Sequence, residues 1–208
     1  MSKILITGSS KGLGLALTET LRKEGHTVYG FDINSGGDVR NPTFVNSDGG
    51  ERTIPDIDIL INNAGVNVIN WLEDFEEDDW DKVMDTNAKG IYMMSRACLP
   101  MLSKNKGTIV NIVSNAAHMP MTCSLAYNAS KAAAHIMTLQ LARELTKKHD
   151  ITVFGIAPNK EYAQKYQLNG LLTGEETPPN QLAEFIGYLL QSKQHHKYLT
   201  GCILPYGA

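Results

Sequence analysis

The sequence predicts an α/β fold in which a parallel sheet carries helices on both faces, and three observations predict it. Short runs rich in Ile and Val alternate with longer helical patterns along the chain. Several of those runs are apolar at every position, as strands covered on both sides are. The 208 residues are 42% hydrophobic and 20% charged, an ordinary globular composition long enough for one well-buried core and one domain over residues 1–208.

Taken in order, the strands are expected at Lys3 to Thr7, Thr27 to Asp32, Ile57 to Asn62, Thr108 to Ser114, Ile151 to Ala157 and Cys202 to Pro205. Helical spacing predicts helices over Lys11 to Glu24, Glu76 to about Lys104 with an interruption near Asn87, Ser124 to His149, and Pro179 to Ser192. The polar stretches Asn34 to Glu51 and Asn159 to Thr177 contain Gly or Pro and read as loops.

Composition also narrows the function. A formal net charge of -3 supplies no general basic field, so neither nucleic acid nor an anionic membrane is an expected partner. Cys98, Cys123 and Cys202 are odd in number and lack CxxC spacing, which argues against a disulfide framework or a metal site and fits the reduced cytoplasm. The N-terminal apolar run is too short for a secretory signal, and no stretch approaches the ~18 apolar residues of a membrane span.

The first chemical feature is Thr7-Gly8-Ser9-Ser10-Lys11-Gly12-Leu13-Gly14, where the first strand ends and an amphipathic helix begins. Glycines allow a sharp turn and close approach of a ligand, while the positive end of the helix favours a pyrophosphate. The same spacing also serves a plain strand-to-helix turn. Eighteen positions after Gly14, Asp32 ends the second strand, where a carboxylate can accept hydrogen bonds from both hydroxyls of an adenosine ribose. Either feature alone has an ordinary structural reading; together they favour a dinucleotide.

Farther along come Asn62-Asn63-Ala64-Gly65, Ser114 and Tyr127-Asn128-Ala129-Ser130-Lys131, with Ser114 thirteen residues before Tyr127. With the glycine turn, these motifs in this order resemble the short-chain dehydrogenase/reductase family over nearly the whole chain. The resemblance implies a Rossmann-like, doubly wound parallel sheet of about seven strands and a bound nicotinamide dinucleotide. It further implies hydride transfer between that dinucleotide and an alcohol or carbonyl substrate. It places catalysis on Asn87, Ser114, Tyr127 and Lys131. Cofactor contacts fall on Gly8, Ser10, Lys11, Gly12, Leu13, Gly14, Asp32, Ile33, Asp38, Val39, Asn63, Ala64, Gly65, Tyr127, Lys131 and Pro158. In the family the lysine also bonds the nicotinamide ribose, and the asparagine matched by Asn87 holds a water that relays protons to it. Asp38-Val39 resembles the pair that contacts the adenine, with Asp48 a weaker candidate for the acid.

The residues support that chemistry independently. Tyr127 and Lys131 are four apart on a predicted helix and share a face. An ammonium there should lower the tyrosine from its ordinary value of about 10 and suit it to exchange protons. Ser114 at a strand end can donate a hydrogen bond to a carbonyl oxygen that gains negative charge. Asp32 accepts ribose hydroxyls and repels a 2′-phosphate, so NAD is expected over NADP, although Lys11 pulls the other way.

This sequence also departs from the family. Only 29 residues separate Asp32 from Asn62, which leaves no room for a full helix in that crossover. The usual Pro-Gly after the sixth strand of the family is Pro158-Asn159, with no threonine following to grip the nicotinamide. The lid, Asn159 to Pro178, is short, and the ending Leu204-Pro205-Tyr206-Gly207-Ala208 lacks the family's Asp-Gly-Gly. These departures keep open the alternative of a dinucleotide-binding regulatory or scaffold protein with little turnover. Loops holding Asn115, Ala116, His118, Met119, Met121 and Leu125 line the substrate pocket in the family. His118 itself reads as a loop histidine with a local hydrogen bond, not as a metal ligand.

Charge is sparse on two helices: Lys89 and Arg96 alone between Asn87 and Ser103, and Lys131 alone between Ser124 and Ala142. Ala132, Ile136 and Leu139 form one stripe facing the sheet, whereas Ala126, Ala133, Met137 and Leu141 form a second that calls for a partner. A homodimer, or a homotetramer built from it, is expected, since family members pair these helices across a two-fold axis.

Overall fold

The computed structural model describes residues 1–42, 54–158, 179–191 and 197–206. The element order is β1 (Lys3–Thr7), α1 (Gly12–Lys23), β2 (Thr27–Phe31), β3 (Ile59–Asn62), α2 (Glu77–Met84), α3 (Gly90–Asn105), β4 (Thr108–Ile112), α4 (Leu125–His149), β5 (Thr152–Pro158), α5 (Asn180–Leu190) and β6 (Ile203–Tyr206). Every strand pairing is parallel, and the order across the sheet is β2-β1-β3-β4-β5-β6. All strands therefore end on one edge. The chain leaves β1 toward β2 on one side and resumes at β3 on the other, which opens a crevice at that edge.

Six strands stand among the described residues, one fewer than the resemblance implies. Among the described residues β2 is an edge strand, and the chain follows it with a single turn of 3₁₀ helix, Ile33–Ser35. Strand ends otherwise shift by one or two residues; Ser114 lies just beyond β4 as the cap of a short turn, Asn115–Ala117.

Alternation along the strands builds two apolar layers. Ile4, Ile6, Ile59, Ile61, Val110, Phe154 and Ile156 pack under Leu17 and Leu21 of α1 and Leu182, Ile186 and Leu190 of α5. Leu5, Leu60, Ile109 and Val153 face the opposite way, onto Met94, Cys98 and Leu102 of α3 and Ala142 and Leu145 of α4. Each such aliphatic side chain contributes roughly 1.5–3 kcal/mol on full burial. Among the described residues no helix is long and apolar enough to cross a membrane.

The expected interruption near Asn87 is a π-helical segment, Asp85–Lys89, between α2 and α3. Such a segment inserts a residue into the helical repeat and re-aims the side chains on it. Here it turns Asn87 inward, leaving it 1% exposed.

The two stripes of α4 are reversed relative to expectation. Met137 and Leu141 pack on the core, whereas Ala132 is exposed and Ile136 is 62% exposed. Spacing separates the stripes, but only docking onto the sheet selects which one faces inward.

A buried polar chain crosses the second layer. Asn62 Nδ2 donates to Asn111 Oδ1 at 2.8 Å and to Ser95 Oγ at 3.4 Å, and Asn111 Nδ2 donates to Thr138 Oγ1 at 2.9 Å. It joins β3, β4, α3 and α4 without a charged group. Asn111→Ala strips Asn62 and Thr138 of a partner in a site without water access; an unsatisfied buried group costs about 1–3 kcal/mol. Urea unfolding should show a loss of at least that size, while Asn105→Ala at the exposed helix end should lose less.

Candidate active site

The glycine turn owes its shape to close contacts. Gly8 and Gly12 have φ of +65° and +53°, in the left-handed region where a side chain is strained. A Cβ on Gly14 would collide with the Gly8 carbonyl oxygen, and one on Gly8 would come within 2.9 Å of Ala64 Cα. Asn63 stitches the turn to the end of β3: its Nδ2 donates to the carbonyls of Thr7 and Gly8 at 3.0 and 3.1 Å. Thr7 Oγ1 in return accepts from the backbone N–H groups of Asn63 and Ala64, both at 3.0 Å. Thr7 is the residue of this turn that sequence reasoning left out, although it opens the motif.

Lys11 gives α1 no side-chain cap, and the first turn holds no acidic residue. The leading amides of α1 thus face outward without a protein carboxylate to satisfy them. At Gly12 a Cβ would meet nothing within 4 Å, so the space in front of that helix end is open. This cradle fits the phosphates of a dinucleotide, with Gly12, Leu13 and Gly14 supplying the donors.

Asp32 stands beside the turn, 8% exposed. Its Oδ1 accepts from Asn34 N at 2.9 Å and its Oδ2 from Ser10 N at 3.1 Å. Burial opposes its charge most strongly, yet the hydrogen bonds from Asn34 and Ser10 and the nearby Lys11 cation together hold its carboxyl below the usual range. It is therefore a fixed anion. Ile33 is 67% exposed next to it.

Asp38 pairs with Arg40, whose Nη2 lies 2.6 Å from Oδ2 and whose Nε contacts both carboxylate oxygens. That bidentate pair, unforeseen from the sequence, holds Asp38 below the ordinary carboxylate range. The Val39 side chain is buried against Gly90 and the α3 layer, so it anchors this segment from within. Asp48 and the lid from Asn159 to Pro178 lie outside the described residues.

On the other flank, Asn87 clamps the segment after β3. Its Oδ1 accepts from Val66 N at 2.8 Å, and its Nδ2 donates to Val66 O at 2.8 Å and to Ser130 Oγ at 3.0 Å. With the side-chain amide engaged in this way, a water held by Asn87 would be held by its backbone. A Cβ on Gly65 would sit 3.4 Å from Asn87 Oδ1 and 3.8 Å from Lys131 Nζ, which brings the three positions together.

Ser114, Tyr127 and Lys131 converge as the motif requires. All three are buried, at 3%, 4% and 5% exposure. Ser114 caps its turn by accepting from Ala116 N at 3.1 Å, and its hydroxyl favours the charged form of Tyr127. Lys131 Nζ donates to the Ile112 carbonyl at 2.9 Å and lies 5.6 Å from the centroid of the Tyr127 ring. Pro158 ends β5 at the same edge of the sheet, in register with Tyr206.

One electrostatic expectation is corrected. The Tyr127 hydroxyl is pushed above its ordinary value, because burial outweighs the help of Ser114. Burial acts on the lysine as well, and pushes Lys131 down to about 8. Both groups are shifted toward neutrality, a consequence of packing that helical spacing does not reveal.

A doubly wound parallel sheet with an open glycine turn after β1, an anion after β2 and a Ser-Tyr-Lys cluster beside the crevice defines a dinucleotide-binding oxidoreductase fold. The chain belongs to the short-chain dehydrogenase family, whose model matches residues 44–161, more than half of its length. It is 29% identical over 227 residues to the 3-oxoacyl-(acyl-carrier-protein) reductase of Vibrio harveyi, covering 95% of this chain and 92% of that one. Among solved structures, 4-hydroxyisoleucine dehydrogenase complexed with NADH matches with a TM-score of 0.76 and 26% identity over 99% of this chain and 96% of that one. The 3-ketoacyl-(acyl-carrier-protein) reductase of Brucella melitensis complexed with NADH shares the fold at a TM-score of 0.77 and 24% identity, covering 98% and 96%.

The buried lysine has a signed consequence. Its folded value of about 8 lies below the 10.5 of a free lysine, so between those pH values the unfolded chain binds more protons and stability rises with pH. In the cofactor-free protein, Lys131→Met should be at least as stable as the parent at pH 7. The parent should gain on the variant as pH rises from 8 toward 10.5, measured by chemical denaturation.

Proposed function

We propose that this protein transfers a hydride between a nicotinamide dinucleotide and a small or medium alcohol or carbonyl compound, with Tyr127 as acid and base. The observation that carries the proposal is the convergence of buried Ser114, Tyr127 and Lys131, with Lys131 Nζ 5.6 Å from the centroid of the Tyr127 ring, at the mouth of a crevice that fits a dinucleotide. The nicotinamide supplies or accepts the hydride; the chain handles the proton and the charge.

In the reducing direction, the substrate carbonyl takes the place between Ser114 and Tyr127. Ser114 donates to its oxygen, and Tyr127 delivers its phenolic proton as negative charge builds there. Lys131, one helical turn on, offsets the phenolate so formed. Oxidation runs the same path backwards, with the Tyr127 phenolate taking the alcohol proton. Asn87 and Gly65 hold the segment after β3 against Lys131. A complete Ser114, Tyr127 and Lys131 set favours turnover over a regulatory or scaffold role. The printed name of the Vibrio harveyi relative, a 3-oxoacyl reductase, supports a carbonyl substrate.

NAD is the proposed cofactor. Asp32 keeps its charge and stands at the end of β2, where an adenosine ribose would lie, and the NADH-bound 4-hydroxyisoleucine dehydrogenase supports the same choice. We also propose a homodimer or homotetramer formed through α3 and α4, whose outer faces expose Tyr92 and Ile136.

Tyr127→Phe should lower turnover by ~10²–10⁴-fold, the usual loss for a missing general acid, while dinucleotide affinity stays near the parent's. More than about half the parent rate would refute the assignment. Titration of both cofactors should give tighter binding of NAD, and tighter binding of NADP would overturn that choice. Light scattering at micromolar concentration should show an oligomer that Ile136→Glu splits, because an unpaired carboxylate in a dry interface is strongly unfavourable; a monomeric parent would rule the interface out.

A further inference from the structure

Two histidines outside the Ser-Tyr-Lys cluster meet across the segment that carries Ser114. His118 Nε2 lies 3.1 Å from His135 Nδ1, with the rings edge to face and their centroids 4.4 Å apart. His118 is exposed and follows the turn Asn115–Ala117; its own N–H and that of Met119 donate back to the Asn115 carbonyl. His135 is half-buried on α4, four residues after Lys131 and eight after Tyr127, hence on their side of the helix. Segment 114–119 thus meets α4 at two points: Ser114 at its start, whose hydroxyl acts on that of Tyr127, and His118 near its end, bonded to His135. Between these points, Ala116 is buried in one cluster with Tyr127, Ala126 and Val83.

A hydrogen bond between two imidazoles needs one N–H and one lone pair. It forms between two neutral rings or between one neutral and one protonated ring, and is lost when both carry a proton. We propose that the His118–His135 hydrogen bond is a positioning contact for the reaction proposed above, holding Ser114 against Tyr127 and releasing segment 114–119 when both rings are protonated. Its catalytic half rests on that reading of the site; the latch itself does not.

Other charges near the pair do not account for it. Lys131, the preceding ionisable group on the helix, points inward to the Ile112 carbonyl, and the influences on His135 among the described residues are burial first and then His118. Both hold His135 below the ordinary 6.5. The neutral form is therefore favoured in the folded protein, so the contact is present at pH 7 and above and is lost as pH falls through the depressed value.

The test separates the latch from the reaction. In the cofactor-free protein, ¹⁵N side-chain spectra should show two coupled histidine titrations, and amides of residues 115–119 should exchange faster in His118→Ala and, for the parent, at acid pH. In kinetics at pH 7, His118→Ala should raise KM about three- to ten-fold, the factor one net hydrogen bond is worth, with a smaller change in kcat. His118→Gln and His135→Asn carry an amide where Nε2 and Nδ1 stood; they should restore the KM and remove its rise in acid. Independent histidine titrations, or unchanged exchange in His118→Ala, would overturn the latch whatever the turnover. A KM and pH profile in His118→Ala equal to the parent's would overturn the positioning role. Coupled titrations and responsive exchange without turnover on any alcohol or ketone would support the latch and refute the oxidoreductase reading instead.

Discussion

The segment from Asn62 to Val66 is the constraint on which the rest depends. Within five residues it joins the sheet interior through Asn62, the glycine turn through Asn63 and Ala64, and the π-helical segment through Val66. Gly65 between them leaves room for Asn87 and Lys131 to approach. Side-chain amides hold this backbone from both sides, Asn63 at the glycine turn and Asn87 at Val66. The Asn62–Asn111 bond is buried and strengthened by the low polarity around it, so a missing partner there would be expensive.

Burial does the electrostatic work in the Ser-Tyr-Lys cluster. Tyr127 and Lys131 sit where water is excluded, so each resists its charged form. A lysine brought to about 8 stands close to neutral pH and can change charge with a modest change around it. On the opposite flank, Asp32 is also buried, but two backbone donors and Ser10 keep it ionised. The crevice thus holds a fixed anion at one end and two groups shifted toward neutrality at the other.

Much of this was legible in the residues. Apolar runs at strand spacing located the six strands of the described residues, and the glycine turn, Asp32 and the Ser-Tyr-Lys spacing marked positions that the fold brings to the crevice. The interruption expected near Asn87 is the π-helical segment Asp85–Lys89. Contacts between segments distant in sequence left weaker traces. Asn111 bridges Asn62 to Thr138, and His135 meets His118, each through a polar side chain of a common type. Nothing in local spacing separates these from solvated residues.

What the sequence determined by itself was therefore periodic or motif-bound: the α/β class, the strands, the turn chemistry and the identity of the residues at the sheet's ligand edge. Those follow from local rules, in which a face, a φ angle or a four-residue offset is set by near neighbours. Tertiary structure alone decided which stripe of α4 faces inward and that Tyr127 is raised where its helical neighbour suggested the reverse. Each of those outcomes depends on how much water and which distant atoms surround a group, and burial is a property of the assembled layers that no stretch of chain carries on its own.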